Sequence, residues 1–177
     1  MNDTLATVAH EIAECRRCDG ENIAVLHAPV MTRGSGTRAL IIGVQPGNTE
    51  LKQGVAFSGP AGRRLMEWMT QVGLGGTREE IFEQAYFTSL AKCQIVSSGK
   101  KRERALGNCL PFLRRQIDLI RPTVCVTLGA DPLRVLFGYQ GQLEVLIGTV
   151  RTELDFGVLF PMLPSQCVVV PLPHPSP

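Results

Sequence analysis

The stretch ALIIGVQPGNTE (39–50) begins with an unbroken apolar run and stops at a Pro-Gly turn. A strand with one wet face would alternate apolar and polar residues. A continuous run reads instead as a strand buried on both faces of a parallel sheet. Downstream, PAGRRLMEWMTQVG (60–73) reads as a helix. Pro60 suits its first turn, Leu65, Met69 and Val72 form a stripe, and Gly73 suits its end. AYFTSL (85–90) is a second strand. The span from about 103 to 120 is helical, with Leu106, Leu110, Leu113, Ile117 and Ile120 on one face. Pro111 is expected to start, kink or divide that helix. TVCVTLG (123–129) is a third strand, 131–137 a short helix, VRTELDF (150–156) a hairpin arm and CVVVPL (167–172) a last buried strand. Upstream, Leu5, Val8, Ile12 and Cys15 mark a helix over roughly 4–15.

Strands alternating with helices predict an α/β fold with a mostly parallel, four-stranded sheet flanked by helices. At 177 residues the expectation is one domain spanning 1–177. Ligands of such sheets sit beyond the carboxyl ends of the strands. Three unusual sequences fall there: VQPGNTE after the first strand, SLAKC after the second and PHPSP after the last.

The hydrophobic fraction of 44% and charged fraction of 19% are those of an ordinary globular chain. The net charge of +2 does not by itself argue for nucleic acid. The opening MNDTLATVAHEIAEC carries acidic residues and no apolar core of a secretory signal. No apolar run is long enough to span a bilayer. A reducing, cytoplasmic setting is therefore expected, and a monomer. In that setting six cysteines point to metal ligation or burial rather than to disulfides. Cys125 and Cys167 lie in β-branched apolar runs and read as small core residues. The other four differ. Cys15 and Cys18 form a C-x-x-C pair in ECRRCDG, and Cys93 and Cys109 follow far downstream. Two close and two distant thiols can meet around one tetrahedral centre, either zinc or an iron–sulfur cube.

GVQPGNTE (43–50), GVAFSGPAG (54–62), FTSLAKC (87–93) and HPSP (174–177), together with the early C-x-x-C, resemble the motifs of the uracil-DNA glycosylase superfamily. The similarity is greatest to its iron–sulfur branch, family 4, and runs from about Cys15 to Pro177. It implies a doubly wound sheet and a structural 4Fe–4S cluster on Cys15, Cys18, Cys93 and Cys109, with zinc as the rival occupant. It also implies a nucleoid-associated bacterial or archaeal repair enzyme. Such an enzyme hydrolyses the N-glycosidic bond of uracil, or of another deaminated base, and leaves an abasic site in DNA.

An enzyme of this kind extrudes a base into a snug pocket, stacks it and stabilises the departing anion. By resemblance, Phe57 is the stacking ring and His174 the anion-stabilising histidine. Gln45 and Glu50 are candidates to orient water or base. Val44, Gly47, Asn48 and Ser89 are candidates to line the base. Arg63 and Ser176 fall where DNA contacts are implied. Lys92, Lys101 and Arg102 belong to a basic stretch, with SSGKKRER (97–104) read as an exposed loop able to meet phosphates. Two residues depart from the family pattern. Val44 stands where an acidic residue is usual, and Ser89 stands where an asparagine reads the uracil edge. Pro175 and Pro177 are the candidates for the wedge that props open the minor groove. The departures keep a rival open: a family-like protein that binds uracil-containing nucleic acid with little or no turnover. A redox or electron-transfer domain is a third reading.

Overall fold

The computed structural model describes residues 3–27, 29–30, 32–35, 38–157 and 162–176. In chain order the helices are α1 (Leu5–Ala13), α2 (Asn48–Gln53), α3 (Pro60–Gln71), α4 (Arg78–Gln84), α5 (Gly99–Ile120) and α6 (Ala130–Phe137). The strands are β1 (Val25–Leu26), β2 (Ala39–Gly43), β3 (Ala85–Ser89), β4 (Gln94–Ile95), β5 (Val124–Leu128), β6 (Arg151–Thr152) and β7 (Val168–Leu172). The main sheet has the order β3-β2-β5-β7-β6. Its first four members are parallel and β6 is antiparallel to β7.

The apolar run in β2 is buried on both faces, as its composition predicts. Leu40 and Ile42 pack with Tyr86, Cys125 and Val169 against the α5 and α6 side. Ile41 faces the other way and joins Phe87, Val126, Leu65 and Met69 beneath α3 and α4. Each such side chain contributes roughly 1.5–3 kcal/mol relative to exposure. Helices thus cover both faces of a doubly wound sheet. The chain leaves β2 for β3 on one side, then crosses to β5 on the other. The point where that direction reverses, between β2 and β5, is where such a sheet opens a crevice.

The structure departs from the expectations in five places. The sheet has five strands, because a two-residue β6 adds an antiparallel edge. The rest of the expected hairpin arm is a 3₁₀ turn over Glu153–Phe156. There Glu153 turns inward to accept the N–H groups of Met162 and Leu163 at 2.8 and 2.9 Å. Pro111 does not divide α5, which runs unbroken for 22 residues. SSGKKRER is not a loop: Ser98 is the N-cap of α5 and the helix begins at Gly99. Val72 falls at the end of α3 and is 77% exposed, not part of its buried stripe. Elements absent from the sequence reading are α2, α4 and the small β1–β4 ribbon. The ribbon holds the N-terminal segment beside the loop that follows β3. Among the described residues, no helix is long and apolar enough to cross a membrane.

Candidate active site

Beyond the carboxyl ends of β2, β3, β5 and β7 lies a cavity of about 390 Å³. Gly43 to Glu50, Phe57, Ser89, Leu128 and His174 to Ser176 are among its lining. The three sequences singled out at strand ends therefore meet in one place, at the switch point of the sheet.

Phe57 is held in an unusual way. Its φ is +54°, a left-handed conformation that costs a non-glycine residue on the order of 1–3 kcal/mol. Its surroundings impose that geometry. The carbonyl of Phe57 accepts from Arg78 Nη2 at 3.1 Å. The backbone of α3 at Gly62 passes so close that a Cβ there would lie 1.9 Å from the same oxygen. The ring packs edge-on against Phe87, with centroids 5.6 Å apart. A Cβ on Gly43 would stand 3.1 Å from its Cζ, so glycine at the end of β2 makes room for the ring.

Glu50 joins two loops. One carboxylate oxygen accepts the Gly59 N–H at 2.7 Å and the other the Gly47 N–H at 3.2 Å. It positions the loops after β2 and before α3, and each oxygen keeps a second lone pair in a side chain that lines the cavity. Val44 contributes its carbonyl, which accepts the Ala91 N–H at 2.9 Å. Asn48 Oδ1 accepts from Gln94 Nε2 at 3.3 Å. The Ser89 hydroxyl donates to the Ala91 carbonyl at 2.6 Å. Gln45 Oε1 is buried at the cavity with no hydrogen-bond partner.

His174 follows β7, across from Gly129. Its Nδ1 lies 3.2 Å from the Ser176 backbone nitrogen and 2.9 Å from the Ser176 hydroxyl. A backbone N–H can only donate, so Nδ1 carries a lone pair. In a neutral imidazole the ring hydrogen is then on Nε2, in a residue that lines the cavity.

A second hollow, behind the end of β3, is lined by Cys15, Cys18, Cys93 and Cys109. The thiols come from the chain after α1, from the start of β4 and from α5. Burial, with the neighbouring Cys109, Cys15 and Cys18 adding to it, pushes the Cys93 thiol up to about 12. Burial also raises Cys109. Four thiols are soft donors that suit zinc or an iron–sulfur cluster, and His27, paired with Asp19 at 2.6 Å, also lines the hollow. Among the described residues, no group of three or more His, Cys, Asp or Glu side chains is arranged to hold a single metal ion.

The family model for the uracil DNA glycosylase superfamily matches residues 32–177. The chain belongs to that superfamily. It is similar to the type-4 uracil-DNA glycosylase of Sulfurisphaera tokodaii, 28% identical over 177 residues, 98% of this chain and 75% of the relative. The enzyme of the same name from Saccharolobus solfataricus is 29% identical over 98% of this chain and 76% of its own. That from Thermotoga maritima is 29% identical over 74% and 65%.

Within this uracil-DNA-glycosylase fold, the basic residues divide by position. Lys92 is 2% exposed and cannot meet a phosphate. Its ammonium donates to Thr88 Oγ1, the Ser89 carbonyl and Gln116 Oε1 at 2.5, 2.7 and 3.1 Å. Burial pulls its pKa down to about 7, with Cys109 opposing. The lysine is a buried strut between the cysteine hollow and the end of β3. Its place in a charged stretch of sequence gave no hint of this. Arg102 is tied to Asp131 at 2.7 Å. Lys101, with Lys100, stands exposed in the first turn of α5, and Arg63 and Arg64 stand exposed on α3. Arg64 donates to the Ser176 carbonyl at 3.4 Å, beside the cavity. Pro175 is buried, so it does not project as a wedge, and Pro177 lies outside the described residues. Arg78 and Gly62, which set the pose of Phe57, were not legible as site residues. Nothing in PAG or TRE marks a residue that meets Phe57 through its backbone oxygen.

Proposed function

We propose that this chain is a monofunctional uracil-DNA glycosylase, which hydrolyses the N-glycosidic bond of a deaminated base in DNA and leaves an abasic site. The observation that carries the reading is the His174–Ser176 contact. It leaves the Nε2–H of a neutral imidazole at a cavity that also holds the constrained Phe57 ring. The extruded base stacks on Phe57. As the bond to C1′ breaks, its electron pair passes to the base, and His174 Nε2–H donates to the carbonyl where negative charge collects. Water adds to C1′ of the sugar, and the proton it gives up neutralises the departed base anion through solvent. Glu50 acts by holding Gly47 and Gly59, and so the floor and wall of the pocket. No lysine is among the described lining residues, in keeping with hydrolysis rather than Schiff-base chemistry.

Cys15, Cys18, Cys93 and Cys109 would hold a 4Fe–4S cluster, the occupant that the family resemblance favours over zinc. When bound it supplies a covalent cross-link between the N-terminal segment, β4 and α5. Exposed Arg63, Lys100 and Lys101 are cations placed to meet the DNA backbone.

The test is release of base from uracil-containing single- and double-stranded oligonucleotides, read as alkali-labile strand breaks. Hypoxanthine and xanthine substrates run alongside. Uracil-dependent breaks are expected, and His174→Ala should lower the single-turnover rate by roughly 10²–10³. Breaks no more frequent than in a protein-free control would overturn the assignment. Val44 and the self-satisfied Ser89 hydroxyl favour a second reading, capture of uracil-containing DNA without turnover. A binding preference for uracil DNA with no breaks would select it.

A further inference from the structure

We infer that Gln45 reads the hydrogen-bonding edge of the extruded base, in a pocket where Ser89 has no free donor to do so. This deepens the glycosylase reading and rests on it.

Several polar side chains around the cavity are committed elsewhere. Both Glu50 oxygens accept backbone N–H groups. Asn48 Oδ1 accepts from Gln94. Ser176 is spent on His174 Nδ1. Ser89 gives its one hydrogen to the Ala91 carbonyl, so toward the cavity it offers only lone pairs. Among the groups left are His174 Nε2–H, Asn48 Nδ2 on an exposed side chain, the Thr49 hydroxyl and the Gln45 amide. Gln45 is the most telling of these, because its Oε1 is buried without a partner. Such an atom costs roughly 1–3 kcal/mol when left unpaired, and an orphan of this kind in a folded protein calls for a cause.

A base edge with a ring N–H beside a carbonyl supplies that cause. The ring N–H donates to Oε1, and Nε2 donates to the carbonyl. Uracil presents this pair at N3 and O4, leaving O2 for His174. The reading group is thus placed on the loop after β2 rather than at the end of β3. The ligand class is a lactam or imide base. A base lacking the N–H and its neighbouring carbonyl leaves the amide unpaired.

The experiment compares uracil with pyrimidin-2-one, which keeps O2 but lacks both O4 and N3–H. Each is placed in the same single-stranded oligonucleotide, and single-turnover release is measured for wild type, Gln45→Met and Gln45→Ala. Methionine fills the same space without hydrogen-bonding groups, so it guards against collapse of the loop. Wild type is expected to prefer uracil. Both variants are expected to shrink that preference at least about fivefold, the ratio that corresponds to about 1 kcal/mol for a lost buried pair. A preference unchanged in the variants, even with both rates lowered, overturns the proposal, since a merely structural role slows both bases alike. If wild type releases neither base, the glycosylase reading fails by itself. Equilibrium dialysis of 2′-deoxyuridine against the 2′-deoxyriboside of pyrimidin-2-one, whose substituted N1 leaves N3 without a hydrogen, then applies the same ratio to Gln45.

Discussion

Gly62 is the position where one methyl group has the sharpest consequence. A Cβ there would fall 1.9, 2.4 and 2.8 Å from the O, C and Cα of Phe57, all backbone atoms that cannot rotate away. Gly62→Ala is therefore expected to lower stability by roughly 1–3 kcal/mol and to displace the Phe57 ring. Urea midpoints and uracil release measure the two effects, and a variant with wild-type values in both would contradict the pose described. The effect is steric, because Gly62 sits in α3 and needs no left-handed backbone. At this scale the sequence was informative where chemistry is local. The cysteine spacing and the His-Pro-Ser and Phe-Ser-Gly motifs led to residues that do line the two hollows. It was uninformative where the role depends on a distant neighbour. Lys92 beside Cys93 reads as another surface cation. Only the fold supplies Thr88, Gln116 and the Ser89 carbonyl around its ammonium. Glu50 reads as a candidate base, and only the fold shows that it also ties Gly47 to Gly59.

At the scale of elements, α1 is held to α5 by polar as well as apolar contacts. Val8 and Ile12 bury against Phe112, and Arg115 binds both Asp3 and Glu11. The hydrogen bond from Arg115 is the main reason that Asp3 and Glu11 titrate below their usual 3.8 and 4.5. Carboxyls held low in the folded state bind fewer protons there than in the unfolded chain between the two pKa values. Their contribution is complete above about pH 4.5 and disappears as pH falls through the lowered folded values. Urea midpoints of wild type and Arg115→Ala should differ at pH 6 and converge toward pH 3. A gap that stays constant with pH would rule out this linkage. The long elements were legible because β2, β5 and β7 are largely apolar runs and α5 repeats its apolar face over about four turns, from Leu106 to Ile120. The short ones were not. The ribbon β1–β4 has two residues per strand and exists only through pairing. The six-residue α2 owes its position to Glu50 reaching back to Gly47. Charge density made the start of α5 look like a loop, although Ser98 precedes it as a cap and lysines at an exposed helix start need no partner.

For the whole molecule, the decisive question is what fastens the N-terminal segment to the sheet. Cys15 and Cys18 reach the hollow from that segment, Cys93 from the β3–β4 corner and Cys109 from α5. Around them Arg17 stacks on Phe112 at 4.4 Å and donates to the Asn108 carbonyl at 3.2 Å, and Glu21 accepts from Arg104 at 2.5 Å and from Asn108 Nδ2 at 3.4 Å. Arg16 donates to its neighbour Cys15. Metal binding to thiols is coupled to folding, because the ligands must lose protons and a filled site stabilises only the state that forms it. With Cys93 pushed up to about 12, the filled centre is expected to weaken as pH falls and to release protons as it forms. Bleaching the centre with a chelator and oxidant should therefore open residues 15–18 locally, while β2, β5 and β7 keep the base pocket in place. Trypsin reads this directly, since Arg16 and Arg17 lie between the ligands. Cleavage there is expected to accelerate at least tenfold as the visible absorption is lost, and Cys18→Ser should match the bleached protein without any oxidant. Equal cleavage rates in coloured and bleached protein would mean that α1 packing, not the four thiols, holds this end of the chain.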